Sequence, residues 1–263
     1  MRQWSLIATV ATLLATALTL LRTDMFGAGS VATTKRDHPV CVVLTDGTRD
    51  ALPEVATQGY QLLAQCIDQV SNRGGTIVAD VIHADGQSTT DFSYTYGFAP
   101  SQAATGSGNP QAVTDDLARQ AAEARRDLPN AFNKSRAASG SDFVGALMVT
   151  GDRLSQPDLR DRPRTIVVVG NLLQNTPELR FLTTALTDEW IDRTIAGLRR
   201  EGRLARLQGV HVVFVGAGLV RSKRPPGPKQ QIGLRRFFAR YIEESGGKVI
   251  LWAPSLITIP TIG

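Results

Sequence analysis

The sequence predicts a three-layer α/β/α domain with a mostly parallel central sheet and one antiparallel edge strand, preceded by one transmembrane helix. Short β-branched runs such as Val40–Thr45 (VCVVLT) and Thr165–Val169 (TIVVV) are apolar without alternation, which is the pattern of strands buried on both faces. Amphipathic segments of helical period lie between them, so successive strands need crossovers and pair in parallel. The stretch Trp4–Leu21 carries no charge over about 18 residues, close to the ~20 that a helix needs to span ~30 Å of hydrocarbon.

The amino-terminal run has Arg2 before it and Arg22 after it. A secretory signal has a shorter apolar core of roughly 7–15 residues, followed by a small-x-small cleavage site. Ala28-Gly29-Ser30 and Ser30-Val31-Ala32 offer such a site, so a cleaved signal stands as the alternative to the preferred uncleaved anchor. No lipobox cysteine follows, which argues against a lipoprotein. Arg22, Lys35 and Arg36 offset Arg2, so charge does not fix the orientation. The expected organisation is an anchor over 1–22, a Gly/Thr/Ser-rich linker over 23–38, and a single α/β domain over 39–263.

The domain elements follow in order. Residues 53–71 place Val55, Gly59, Leu62, Cys66 and Val70 on one helical stripe. Thr76–Ile82 (TIVADVI) is a second strand, and Asp85-Gly86 begins a turn. Phe92–Phe98 alternates aromatic and polar residues like a half-exposed edge strand, which closes an early hairpin. Pro100–Gln111 is polar and without periodicity, and residues 113–128 are helical through Leu117, Ala121, Ala124 and Leu128. Ser141 reads as the N-cap of a helix carrying Phe143, Leu147 and Met148. Thr165–Val169 is the most apolar run and therefore central. A helix over 184–200, a strand at Val210–Val215, a helix over 229–244 and a last strand at Lys248–Trp252 complete the pattern.

An apolar fraction of 42% builds a substantial core without a metal or disulfide staple. The net charge of +5 admits acidic partners, but a plain solubility role is preferred and no specific nucleic acid is expected. Cys41 and Cys66 form no CxxC or Cys/His cluster, which argues against a zinc site. His38, His83 and His211 are too scattered to be a ligand set. Cys41 lies early in the first strand and Cys66 late in the helix that runs back beside it. The two can therefore meet as a disulfide in an oxidising compartment, or serve as small buried apolar residues.

In open parallel sheets, ligands bind beyond the carboxyl ends of the strands. Three segments put polar residues there: Asp46-Gly47-Thr48-Arg49-Asp50, Ser139-Gly140-Ser141-Asp142, and Gly170-Asn171. Together with the order of elements, these residues resemble the von Willebrand factor A (VWA) family over roughly 38–255. That family's metal-ion-dependent adhesion site uses Asp-x-Ser-x-Ser after strand one, a Thr from a middle loop and an Asp after the fourth strand. The resemblance implies Asp46, Thr48, Asp50, Ser141 and Asn171 as the ligand positions for Mg²⁺ or Mn²⁺. All five are oxygen donors suited to a hard cation. Asp50 stands where Ser is usual and Asn171 where a carboxylate is usual, an exchange that preserves total ligand charge. The competing reading makes Asp46 and Asp50 turn residues and Ser141 a cap on a metal-free fold.

Two enzyme readings fail on their central residues. Leu44-Thr45-Asp46-Gly47-Thr48 resembles the haloacid-dehalogenase motif but has Leu44 at the nucleophile position. Gly216-Ala217-Gly218 begins like a dinucleotide fingerprint but lacks the third glycine and a prompt helix, so a plain turn is preferred. The loop 221–236, with Arg221, Lys223 and Arg224 followed by Lys229, Arg235 and Arg236, is either a solvated loop or a basic rim for an acidic partner or lipid headgroups. The expectation is a membrane-anchored, non-enzymatic protein- or ligand-binding domain. The alternatives are an α/β hydrolase or nucleotide-binding enzyme using the same edge, and a metal-free scaffold of a membrane complex.

Overall fold

The computed structural model describes residues 38–47, 52–82, 94–133, 140–220, 225–255 and 258–262, with the backbone alone at 56 and 128–133. These belong to the unit Lys35–Gly263. The expected anchor and the linker up to residue 37 lie outside the described residues, as do the turn at Asp85-Gly86 and His83. Among the described residues no helix is long and apolar enough to cross a membrane.

Six strands form one sheet: β1 (Val40–Asp46), β2 (Thr76–Ile82), β3 (Tyr94–Gly97), β4 (Arg164–Val169), β5 (Val210–Val215) and β6 (Lys248–Ala253). Their order is β3-β2-β1-β4-β5-β6. All neighbours pair in parallel except β3, which runs antiparallel to β2 at one edge. The helices are α1 (Pro53–Ser71), α2 (Gln102–Gly106), α3 (Pro110–Asn133), α4 (Phe143–Leu154), α5 (Asp188–Arg200) and α6 (Pro228–Glu244).

Alternate residues of each inner strand feed two cores, because successive side chains point to opposite faces. Val42, Leu44, Ile166 and Val168 join a first core with residues of α4, α5 and α6. Cys41, Val43, Val167 and Val169 join a second with residues of α1 and α3. Helices therefore cover both faces, which is why the inner strands β1, β2, β4 and β5 are mostly apolar and show no simple inside-outside alternation. On β6 a register irregularity between Val212 and Val213 places both Ile250 and Leu251 against the second core. Cys41 and Cys66 are fully buried and joined as a disulfide, with Cα atoms 6.1 Å apart, within the ordinary range for such a bond.

Several expected boundaries move, each for a local reason. The stretch Pro100–Gln111 is not unpatterned. Ser101 Oγ accepts from Ala104 N–H and caps α2, and Asn109 Oδ1 accepts from Gln111 N–H where α3 begins at Pro110. The helix expected from 184 starts at Asp188, because Thr187 Oγ1 accepts from Trp190 N–H and sets the cap there. The basic loop 221–236 is shorter than expected. Proline at the first helical position suits a helix start, and α6 begins at Pro228, so Lys229, Arg235 and Arg236 are helical.

Candidate functional site

The strand order reverses between β1 and β4: the chain runs outward through β2 and β3 on one side and through β5 and β6 on the other. After β1 it crosses over the second core through α1, and after β4 over the first core through α5. The two connections leave on opposite faces, so the carboxyl ends of β1 and β4 take the crevice position of such sheets. In sheets of this type such a switch point is where ligands bind.

Asp46 ends β1 at the crevice and is only 3% exposed. Ser141, also 3% exposed, donates from its hydroxyl to Asp46 Oδ1 at 3.1 Å. Asn171 lies two residues past the end of β4 and is buried as well. Between them Gly170 lets the two strand ends close up. A Cβ there would sit 2.8 Å from Asp46 Cβ and 3.0 Å from the Phe143 ring. The structure therefore brings Asp46 and Ser141 into contact, while Asn171 Oδ1 accepts from Leu173 N–H within its own loop. Thr48 and Asp50 lie outside the described residues, as do Arg221, Lys223 and Arg224.

Ser141 is not the cap of α4, which corrects the sequence expectation. Asp142 takes that position and accepts from Gly145 N–H at 2.8 Å. Both residue types cap helices well, so local chemistry did not distinguish them. The neighbouring loop supplies the distinction. Gln174, 1% exposed, donates from Nε2 to Asp142 Oδ1 at 2.6 Å and accepts from Val144 N–H at 3.1 Å. Asn175 N–H donates to the Ser141 carbonyl at 2.9 Å. These bonds fix Asp142 over the helix end and leave the Ser141 side chain facing β1. Gln174 had no signal in the sequence, where it is one of three amides (Asn171, Gln174 and Asn175) in the loop after β4.

The loop after β4 is held in a costly conformation. Leu172 has φ 59°, in the left-handed region that a branched side chain pays ~1–2 kcal/mol to enter. Its side chain is fully buried, and Leu173 N–H donates to Asn171 Oδ1 at 2.7 Å, so packing and the side-chain bond together hold the turn. Gly218 N–H donates to the Asn171 carbonyl at 2.8 Å and ties in the loop after β5. Gly216 and Gly218 have φ 86° and 77°, and among the described residues no helix starts between them and Pro228, so this glycine pair is a turn.

Asp46 and Ser141 meet as a carboxylate and a hydroxyl at the strand end, oxygen donors of the kind that a hard divalent cation takes. The Ser141 hydroxyl can donate to Asp46 while its lone pairs face an ion, and the Asn171 oxygen keeps a second lone pair. Among the described residues no group of three or more His, Cys, Asp or Glu is placed to hold a metal. The nucleophile position of the phosphatase-like reading is Leu44, buried in the first core. Of the basic residues over 221–236, two within the described part contact the rest of the chain. Arg235 lies 5.9 Å over the Trp252 ring, and Arg236 pairs with Asp188 at 2.9 Å.

Comparison with known proteins finds no family model that matches the chain and no curated relative that matches it.

Proposed function

We propose that the chain is a membrane-anchored, non-enzymatic binding protein whose VWA-like domain holds Mg²⁺ or Mn²⁺ at the β1/β4 crevice and engages a protein partner or ligand through it. The observation that carries this reading is the Ser141–Asp46 hydrogen bond, which joins the first and second ligand loops of the VWA pattern where the strand order reverses. Asn171 at the end of β4 and the antiparallel edge strand β3 agree with it. Asp46, Ser141 and Asn171 would hold the cation with Thr48 and Asp50, and the cation would supply a coordination position for an acidic group of the partner. Anchoring rests on the uncharged run Trp4–Leu21.

A second reading, a metal-free scaffold of a membrane complex, is favoured by a specific observation. The Ser141 hydroxyl and the Asn171 amide oxygen already have partners within the chain. Calorimetric titration of MnCl₂ into the detergent-solubilised full chain tests the choice. The cation reading expects one saturable site that Asp46→Ala removes, whereas heat of dilution alone in the wild type favours the scaffold.

A further inference from the structure

The amino-terminal ends of the strands form an edge with an excess of positive charge. The loops 72–75, 155–163, 201–209 and 245–247 lead there into β2, β4, β5 and β6. With Arg164 and Lys248, the first residues of β4 and β6, they hold seven Lys or Arg against three Asp or Glu. Three of the seven are spent on carbonyl oxygens. Arg162 donates from Nε to the His38 carbonyl at 2.6 Å, Arg164 from Nη1 to the Leu154 carbonyl at 3.0 Å, and Arg73 to the Ile262 carbonyl of the tail, residues 258–262. A carbonyl orients a guanidinium without cancelling its charge, and arginine does not deprotonate in proteins.

Of the other four, Arg160, Arg206 and Lys248 are exposed. Arg160 meets its own neighbour Asp161 at 3.6 Å, Arg206 meets Asp152 at 3.6 Å, and Arg203 meets Glu201 at 3.5 Å. With Asp152 counted the basic residues are still in excess. The last turns of α5 and α6, which lead into the same edge, pair Arg199 with Glu244 and Arg240 with Glu243 and so add little. The edge is also where the chain enters the domain. Val40 N–H donates to the Pro163 carbonyl at 2.8 Å, and Arg162 holds the carbonyls of His38 and Pro39. In the sequence Lys35 and Arg36 come just before, and the uncharged run Trp4–Leu21 ends only 17 residues ahead of His38.

We propose that this basic edge rests on an anionic lipid surface. The inference rests on the anchoring read from Trp4–Leu21, since it is by this edge that the linker tethers the domain, whereas the crevice lies at the other ends of the strands. Anionic headgroups meet the exposed Arg160, Arg206 and Lys248, and the carbonyl-bound guanidiniums add to the potential that draws them in. Attraction of this kind acts within about one Debye length, ~10 Å at 0.1 M salt, so it selects the tethered edge over any basic residue held farther off. A nucleic acid or an acidic protein suits the same charge, and the tether is what favours lipid. The arrangement turns the crevice away from the lipid, toward a partner.

Dye fluorescence of the full chain, reconstituted in vesicles that carry a headgroup quencher, tests it. Gln208→Cys takes the dye among the basic loops, and Leu182→Cys takes it into the loop after β4, at the other ends of the strands. In phosphatidylcholine with about one-quarter phosphatidylglycerol, the dye at 208 is expected to be quenched and the dye at 182 not. Quenching at 208 should fall at least ~twofold in phosphatidylcholine alone, and equally when Arg160, Arg206 and Lys248 are all replaced by Gln, with melting temperature unchanged. Quenching at 208 that is the same in neutral and anionic vesicles, or stronger quenching at 182, overturns the proposal. A dye at 208 that ignores lipid but gains anisotropy with poly-glutamate or duplex DNA overturns it in favour of that polyanion. Carbonate extraction of the neutral vesicles reads the anchor separately. Chain lost from them while anionic vesicles still quench at 208 ends the anchor reading and supports this one.

Discussion

Ser141 Oγ reaches Asp46 Oδ1 at 3.1 Å across 95 residues of chain, joining the end of the first strand to the start of α4. Its neighbour Asp142 does the work of capping that helix. The division of labour gives an ordered pair of expectations. Asp142→Ala strips the acceptor from both Gly145 N–H and the Gln174 amide in a buried setting, and should cost about 2–3 kcal/mol. Ser141→Ala loses one hydrogen bond and no cap, and should cost about 1 kcal/mol. Urea denaturation of the two variants decides, and the reverse order would return Ser141 to the role of cap.

Gly170 is the contact point between the two strand ends that bear Asp46 and Asn171. A methyl group there meets Asp46 Cβ at 2.8 Å and the Phe143 ring at 3.0 Å, and neither is the far end of a flexible side chain. Gly170→Ala should therefore destabilise by about 1–3 kcal/mol, as overpacking does elsewhere. A thermal melt indistinguishable from wild type would show that the crevice is looser than these distances describe.

The sheet was largely legible in the sequence because its inner strands are buried on both faces. VCVVLT, TIVADVI, TIVVV and VHVVFV can be little else, and their helical spacers dictate parallel pairing. Asp46, Ser141 and Asn171 were legible as residues at one edge, since that edge follows from strand direction alone. The bond between Ser141 and Asp46 was not. Ser141 and Asp142 are adjacent residues of equal capping aptitude, and what separates them is Gln174, 32 residues further along than Asp142. The tail was missed for a similar reason: Ile259 and Ile262 carry no helical or strand period, and their partners Gln65 and Gln69 lie nearly two hundred residues earlier.

The disulfide spans 25 residues between β1 and α1. On the chain-entropy account a loop of this size stabilises by roughly 3–4 kcal/mol. Both sulfurs are buried, so the native chain should resist thiol reagents whether bridged or not, and labelling belongs in denaturant. Protein isolated without reductant and then unfolded should take up no label, and should take up label at both positions after reduction. Two reactive thiols in the unreduced sample would place the domain in a reducing compartment.

The anchor is tested on the intact chain in cells. Product that stays with membranes through high salt and carbonate is expected from the charge-free run Trp4–Leu21. Replacing Leu13 and Leu14 with Arg should release it or block its insertion, since each charge costs roughly 2.5–3.5 kcal/mol at a helix centre. A soluble mature protein beginning after Ala28 or Ala32 would instead identify a cleaved signal.

Melting temperature as a function of Mg²⁺ or Mn²⁺, read for wild type, Asp46→Ala and Asn171→Asp, tests the cation site most directly. The ion should stabilise the folded chain by mass action, about 2.7 kcal/mol at a hundredfold excess over its dissociation constant. Asp46→Ala should flatten the curve, because it removes the carboxylate to which Ser141 is hydrogen-bonded at the crevice. Asn171→Asp supplies the carboxylate that the VWA pattern has after its fourth strand and should shift the curve to lower cation concentration or leave it in place. A wild-type melting temperature unmoved by either cation would contradict the account and leave the crevice as the closed, metal-free joint between β1 and β4.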